Sequence, residues 1–137
     1  MKIALSDLEM AFDYASSGAE FSSEAYLNLE TGEFIYLGEG SDEEEPDDLH
    51  IGEKYIGIPT VQEFDLGRNL AIKFTREHMP QEIDKVYSFF SSRGAYSRFK
   101  GFLENCGHLE KWYTYENQAT KEALLEWCEE NDIVCDT

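Results

Sequence analysis

The fourteen residues Arg93-Gly94-Ala95-Tyr96-Ser97-Arg98-Phe99-Lys100-Gly101-Phe102-Leu103-Glu104-Asn105-Cys106 carry two patterns at once. Ala95, Phe99, Phe102, Leu103 and Cys106 recur at helical spacing and predict one buried face, while Ser97, Arg98, Lys100 and Glu104 fall on the other. Gly94 breaks the chain in front of this stripe, and Gly107 stands where a left-handed residue would end a helix. The spacing therefore predicts a helix over 95–106. Arg93, Arg98 and Lys100, three of the chain's eleven basic residues, lie in the first eight positions of the stretch. A packing helix that also concentrates positive charge makes this the organising element.

Helical signals continue on both sides. Upstream, Pro80 suits the first position of a helix, and Ile83, Val86, Tyr87 and Phe90 recur at i, i+3, i+4 and i+7, so a helix runs to about residue 92. Before it, Thr60 and Glu63 form a capping-box pattern, and Phe64, Leu66, Leu70, Ala71 and Phe74 give a stripe interrupted by Gly67, which predicts a helix over about 61–77. Downstream, Leu109-Glu110-Lys111-Trp112-Tyr113-Thr114-Tyr115 reads either as a strand or as the start of a helix. Ala119, Ala123, Leu124, Trp127 and Cys128 fix a last helix over about 117–131.

The first half reads differently. A second capping-box pattern, Ser6 with Glu9, opens a helix over about 6–16, which Ser16-Ser17-Gly18 ends. Residues 24–30 alternate, Glu30-Thr31-Gly32-Glu33 is a turn, and Phe34-Ile35-Tyr36-Leu37 completes a β-hairpin. Lys54-Tyr55-Ile56-Gly57-Ile58-Pro59 predicts a third short strand, with Pro59 stopping it or marking an edge. No internal repeat is visible. The order predicts an α+β fold, with a small antiparallel sheet (the hairpin plus a short strand) packed against a mostly helical C-terminal half.

At 137 residues the chain has the length of a single domain, expected to span 1–137. Its 42% hydrophobic and 14% aromatic content supplies a core despite a net charge of −18. Residues 39–53 hold eight acids and no Lys or Arg, interrupted by Gly40, Pro46 and Gly52, and are expected to form an acidic mobile loop. No apolar run approaches the roughly 18 residues needed to span a bilayer, and the first residues lack a signal-peptide pattern, so a cytoplasmic location without a membrane partner is expected. Three cysteines without a CxxC argue for reduced thiols. The excess of acid repels double-stranded nucleic acid at long range and favours a protein partner, a basic one where bulk charge decides.

The candidate binding residues are Arg93, Gly94, Tyr96, Arg98, Lys100, Trp112 and Tyr113. The cations stand near a predicted helix N-terminus, where free N–H groups favour a phosphate or carboxylate, and the Gly94 break leaves room for a ligand. The same cations could instead solvate an exposed face and pair with the abundant acids. Tyr96, Phe99, Trp112, Tyr113 and Tyr115 have the makings of a base-stacking platform, or of a core, where Phe99 belongs by its spacing. His50, His78 and His108 are scattered, and Cys106 with His108 gives two ligands where zinc needs four. The run Asp42-Glu43-Glu44-Glu45-Pro46-Asp47-Asp48 lacks the glycine and final glutamate of an EF-hand. No nucleophile system, phosphate loop or metalloprotease motif is present, so no catalytic residue, metal or cofactor is expected.

Gly94-Ala95-Tyr96-Ser97-Arg98-Phe99-Lys100, the pair Trp112-Tyr113, the late run Ala123-Leu124-Leu125-Glu126-Trp127 and the hairpin around Thr31-Gly32-Glu33 together resemble a bacterial uncharacterised protein family of small acidic proteins. That family's pattern is a Gly-Ala-aromatic-x-Arg-Phe-Lys segment ahead of a Trp-aromatic pair and a terminal helix. Tyr96 stands where a Phe is the more usual residue. The resemblance implies neither a reaction nor a cofactor. The expected function is a non-catalytic interaction domain that binds a protein or an anionic ligand through the Arg93, Arg98 and Lys100 surface. Two alternatives stand beside it: an acidic inhibitor or nucleic-acid mimic that binds a basic partner, and a small hydrolase or nucleotide-handling enzyme.

Overall fold

The computed structural model describes residues 2–17, 23–38 and 43–136. Its order is β1 (Lys2–Ala4), α1 (Leu5–Ser16), β2 (Glu24–Asn28), β3 (Phe34–Leu37), β4 (Tyr55–Gly57), α2 (Arg68–His78), a 3₁₀ turn (Pro80–Glu82), α3 (Ile83–Phe89), α4 (Ala95–Cys106), α5 (Leu109–Glu130) and β5 (Val134–Asp136). This is an α+β fold with a helical C-terminal half. The chain divides into two compact units, one of Met1–Phe64 with Glu122–Thr137 and one of Asp65–Lys121.

In the first unit β2 is the middle strand of an antiparallel sheet, ordered β3-β2-β4. Tyr26 pairs with Ile35 across one ladder and Leu27 with Ile56 across the other. The hairpin turns on Asn28, whose Oδ1 accepts the N–H groups of Glu30 and Thr31 while Gly32 adopts φ of 80°. The helix α1 lays Leu8, Ala11 and Phe12 inward and packs on β2, and the Tyr14 hydroxyl donates to the Leu37 carbonyl at 2.9 Å. Its N-terminus departs from the capping-box expectation: Ala4 occupies the cap, no side chain caps the helix, and the strand β1 runs straight into it. That strand is paired in parallel with β5, Ile3 opposite Cys135.

The expected acidic loop falls partly outside the described residues, at 39–42, as does Gly18. Within 43–53, Leu49 is buried, the Glu43 carboxylate accepts the Tyr36 N–H at 2.9 Å and Lys54 donates to Asp48 at 3.2 Å.

In the second unit α2 begins at Arg68, well after the expected start at 61. The Thr60 hydroxyl does accept the Glu63 N–H, but Asp65 adopts φ of 58°, which ends that first turn, and the helix restarts beyond Gly67. Residues 109–116 are helical, so α5 is a single 22-residue helix rather than one beginning near 117. Phe74, Val86, Phe99, Leu103 and Trp112 make the core of this unit. Cys106, placed on the buried stripe by its spacing, is exposed at the last position of α4.

Candidate functional site

The turn between α3 and α4 places the cationic residues. It follows Phe89, where α3 ends, and closes at Gly94, which adopts φ of 75°. A left-handed residue there costs little only because it is glycine. The first intrahelical bond of α4 runs from the Arg98 N–H to the Gly94 carbonyl at 3.1 Å, and no side chain caps the helix. The N–H groups of residues 95–97 therefore lie ahead of the first helical acceptor and remain available. At its other end Gly107 adopts φ of 74° and His108 donates to the Leu103 carbonyl at 2.8 Å, which is the left-handed stop read from the sequence.

The Arg98 side chain folds back over this N-terminus. Its Nη1 donates to the Ser92 hydroxyl at 2.6 Å, and its Nη2 lies 3.9 Å from where a Cβ on Gly94 would stand. Arg93 is exposed on the same turn. Among the described residues none of Arg93, Arg98 and Lys100 forms an ion pair, in a chain with 29 acids. The pairing of these cations with the chain's own carboxylates is thus not seen among the described residues.

Lys100 does not join Arg98. Its ammonium lies 4.8 Å from the Tyr96 ring and 5.7 Å from the Tyr113 ring, a cation–π contact between α4 and α5. Beneath it the Tyr96 hydroxyl donates to the Glu116 carboxylate. Burial first, and then that carboxylate, push the Tyr96 hydroxyl above the ordinary phenolic range. The Trp112 indole N–H acts against this shift, although it is buried and completes no hydrogen bond of its own.

The seven candidate residues thus fall into two groups. Arg93, Gly94 and Arg98 form an open cationic corner at the start of α4. Tyr96, Lys100 and Tyr113 form a cation–aromatic cluster over Trp112, which is 0% exposed and packs edge-on to Phe99 at 5.1 Å. A fully buried Trp112 and Phe99 cannot stack a nucleotide base, so the platform reading fails for both. Sequence reasoning missed Ser92 and Glu116. Glu116 is one helical turn beyond Trp112, a relation that exists only once 109–116 is read as helix. Among the described residues no group of three or more His, Cys, Asp or Glu could hold a metal ion.

A family model matches residues 3–136, which takes in both units. The chain belongs to the uncharacterised protein family UPF0158. No curated protein and no solved structure matches it. Membership of UPF0158 assigns no role to any residue, so the geometry at α4 carries the functional reading. Among the described residues no helix is long and apolar enough to cross a membrane.

Proposed function

We propose that this UPF0158 chain is a non-catalytic binding protein that takes an anionic group, a carboxylate or phosphate carried by a protein partner, at the start of α4. Arg93 and Arg98 supply charge, the N–H groups of residues 95–97 supply directed donors, and the helix dipole adds to both. The observation that supports this reading best is the Arg98 guanidinium, folded over an uncapped helix N-terminus with no carboxylate partner among the described residues. Lys100 serves indirectly, by holding Tyr96 and Tyr113 beside the site.

Titration with inorganic phosphate, followed by backbone amide NMR, tests the reading. The amides of residues 95–97 are expected to shift and saturate in the native protein. Arg98→Gln should weaken the response about tenfold, the scale of one charge-assisted hydrogen bond, while Lys100→Gln should leave it nearly intact. A response that is equal in the native protein and Arg98→Gln, or that spreads over the whole surface, refutes the site.

A further inference from the structure

A second candidate site lies in the first unit, apart from the α4 corner, and its chemistry has the opposite sign. A cavity of about 280 Å³ is lined by Glu63, Phe64, Glu126, Trp127 and Glu130. It shares Glu63 with a neighbouring cavity of about 310 Å³ that Glu24 and Tyr26 also line. We propose that the Trp127 cavity binds an organic cation, an alkylammonium or guanidinium group, against the Trp127 ring and the carboxylates of Glu63, Glu126 and Glu130.

Its walls are held by contacts that do not involve those carboxylates. The segment carrying Glu63 and Phe64 is anchored by the Val61 N–H donating to the Ser16 hydroxyl at 3.0 Å and by the Phe64 N–H donating to the Thr60 carbonyl at 3.1 Å. The Phe64 ring stacks on Phe12 with centroids 5.8 Å apart. Opposite it, the Trp127 carbonyl accepts both the N–H and the side-chain amide of Asn131, which closes the end of α5.

The charges sit where the helix disfavours them. Glu126, Glu129 and Glu130 occupy the end of α5, no basic residue stands in its last turn, and carbonyl groups at a helix C-terminus already repel anions. Glu126 and Glu130 are also one turn apart, a like-charge spacing that destabilises a helix. Among the described residues none of Glu63, Glu126 and Glu130 forms an ion pair. Local rules broken without compensation among the described residues are expected where a ligand supplies it.

Trp127 decides what kind of cation fits. The helical stripe assigns it to the core, yet it is only half-buried and lines the cavity. An indole ring is the aromatic surface that attracts a cation most strongly, and Phe64 adds an apolar wall suited to a methylene chain. A hard divalent ion needs six or more close oxygens, whereas the acids here line one cavity without forming a cluster that could hold a metal. An organic cation needs no such shell of close oxygens, and its alkyl stem or flat guanidinium gains from the aromatic and apolar walls as well as from the carboxylates. Such a group could come from a free polyamine or from a lysine side chain of a partner protein.

The test uses the full chain and its two indole N–H resonances in proton–nitrogen NMR, with Trp112 as the internal control. Spermidine and Nα-acetyl-lysine methylamide are the probes, and magnesium chloride at matched ionic strength is the comparison. Spermidine should shift the Trp127 signal and leave the Trp112 signal in place. The double variant Glu126→Gln/Glu130→Gln, expected to be at least as thermally stable as the native chain, should weaken the effect about tenfold or more, as removal of two charges facing a bound cation implies. A shift with spermidine alone assigns the site to free polyamines, and a shift with both probes assigns it to the cationic head that a partner's lysine also presents. A Trp127 signal that moves with neither amine, that moves as far with magnesium, or that responds equally in the folded double variant overturns the proposal.

Discussion

Phe99→Ala probes the packing that supports the α4 corner. Phe99 is fully buried, with Trp112 edge-on at 5.1 Å and 84°, Phe90 at 5.9 Å and Tyr96 at 6.4 Å. Its ring therefore touches residues from the α3–α4 turn, α4 and α5. Loss of the ring removes a transfer term of about 2–3 kcal/mol. The cavity left behind adds to it, because Trp112 is itself enclosed and held by Phe74 at 5.4 Å, so the site cannot collapse freely. The sum falls at about 3–5 kcal/mol, within the usual range for emptying a buried aromatic site. Urea unfolding, with amide exchange at Leu103 and Trp112 as reporters for the second unit, measures it. Phe99→Leu, which keeps most of the volume, should cost about 1.5 kcal/mol or less and gives a reading if the alanine variant fails to fold. An alanine variant within about 1 kcal/mol of native, with unchanged exchange at Trp112, would put Phe99 outside the core and refute the packing described here.

Two further predictions follow from the titration behaviour of two partly buried tyrosines and one buried thiol. Tyr26 and Tyr115 are pushed up to about 12, in each case by burial first and then by a hydrogen bond to a carboxylate, Glu24 and Glu77 respectively. Because their hydroxyls ionise near pH 10 in the unfolded chain, stability should be intact below pH 10 and should fall as pH rises towards 12; an absorbance titration in which all tyrosines ionise together near 10 while the chain stays folded would contradict this. Burial also pushes the Cys128 thiol up to about 12, with Cys135 beside it as the next cause, whereas Cys106 is exposed. An aromatic disulfide reagent at pH 8 should modify Cys106 rapidly and Cys128 only on unfolding, and equal rates for the two would show that Cys128 is not enclosed.

What could be read in the sequence was local, and what could not depended on distant partners. The bounds of α4 follow from two glycines and a stripe within fourteen residues, so Arg93, Gly94 and Arg98 could be placed together from sequence alone. Lys100 could not, because the Tyr113 ring that holds its ammonium belongs to α5, and the run Trp112-Tyr113-Thr114-Tyr115 has strand-forming residues that the burial of Trp112 overrides. The β1–β5 pair was out of reach as well: three residues at each end of the chain, Ile3 opposite Cys135, give no periodic signal. The α2 boundary moved because Asp65 adopts a left-handed backbone angle, so that the helix starts only after Gly67, the residue that interrupts the stripe. Two departures are of another kind. Trp127 leaves a core position for a cavity wall, and the glutamates of α5 collect at the helix end that repels them. Neither placement is the one that would stabilise the fold most: a fully buried Trp127 would remove more apolar surface from water, and lysines in place of Glu126 and Glu130 would complement the helix dipole. Residues that forgo stability in the same cavity have a common explanation in a ligand that restores it, and this is why the Trp127 cavity, rather than the better packed parts of the chain, carries the second binding site.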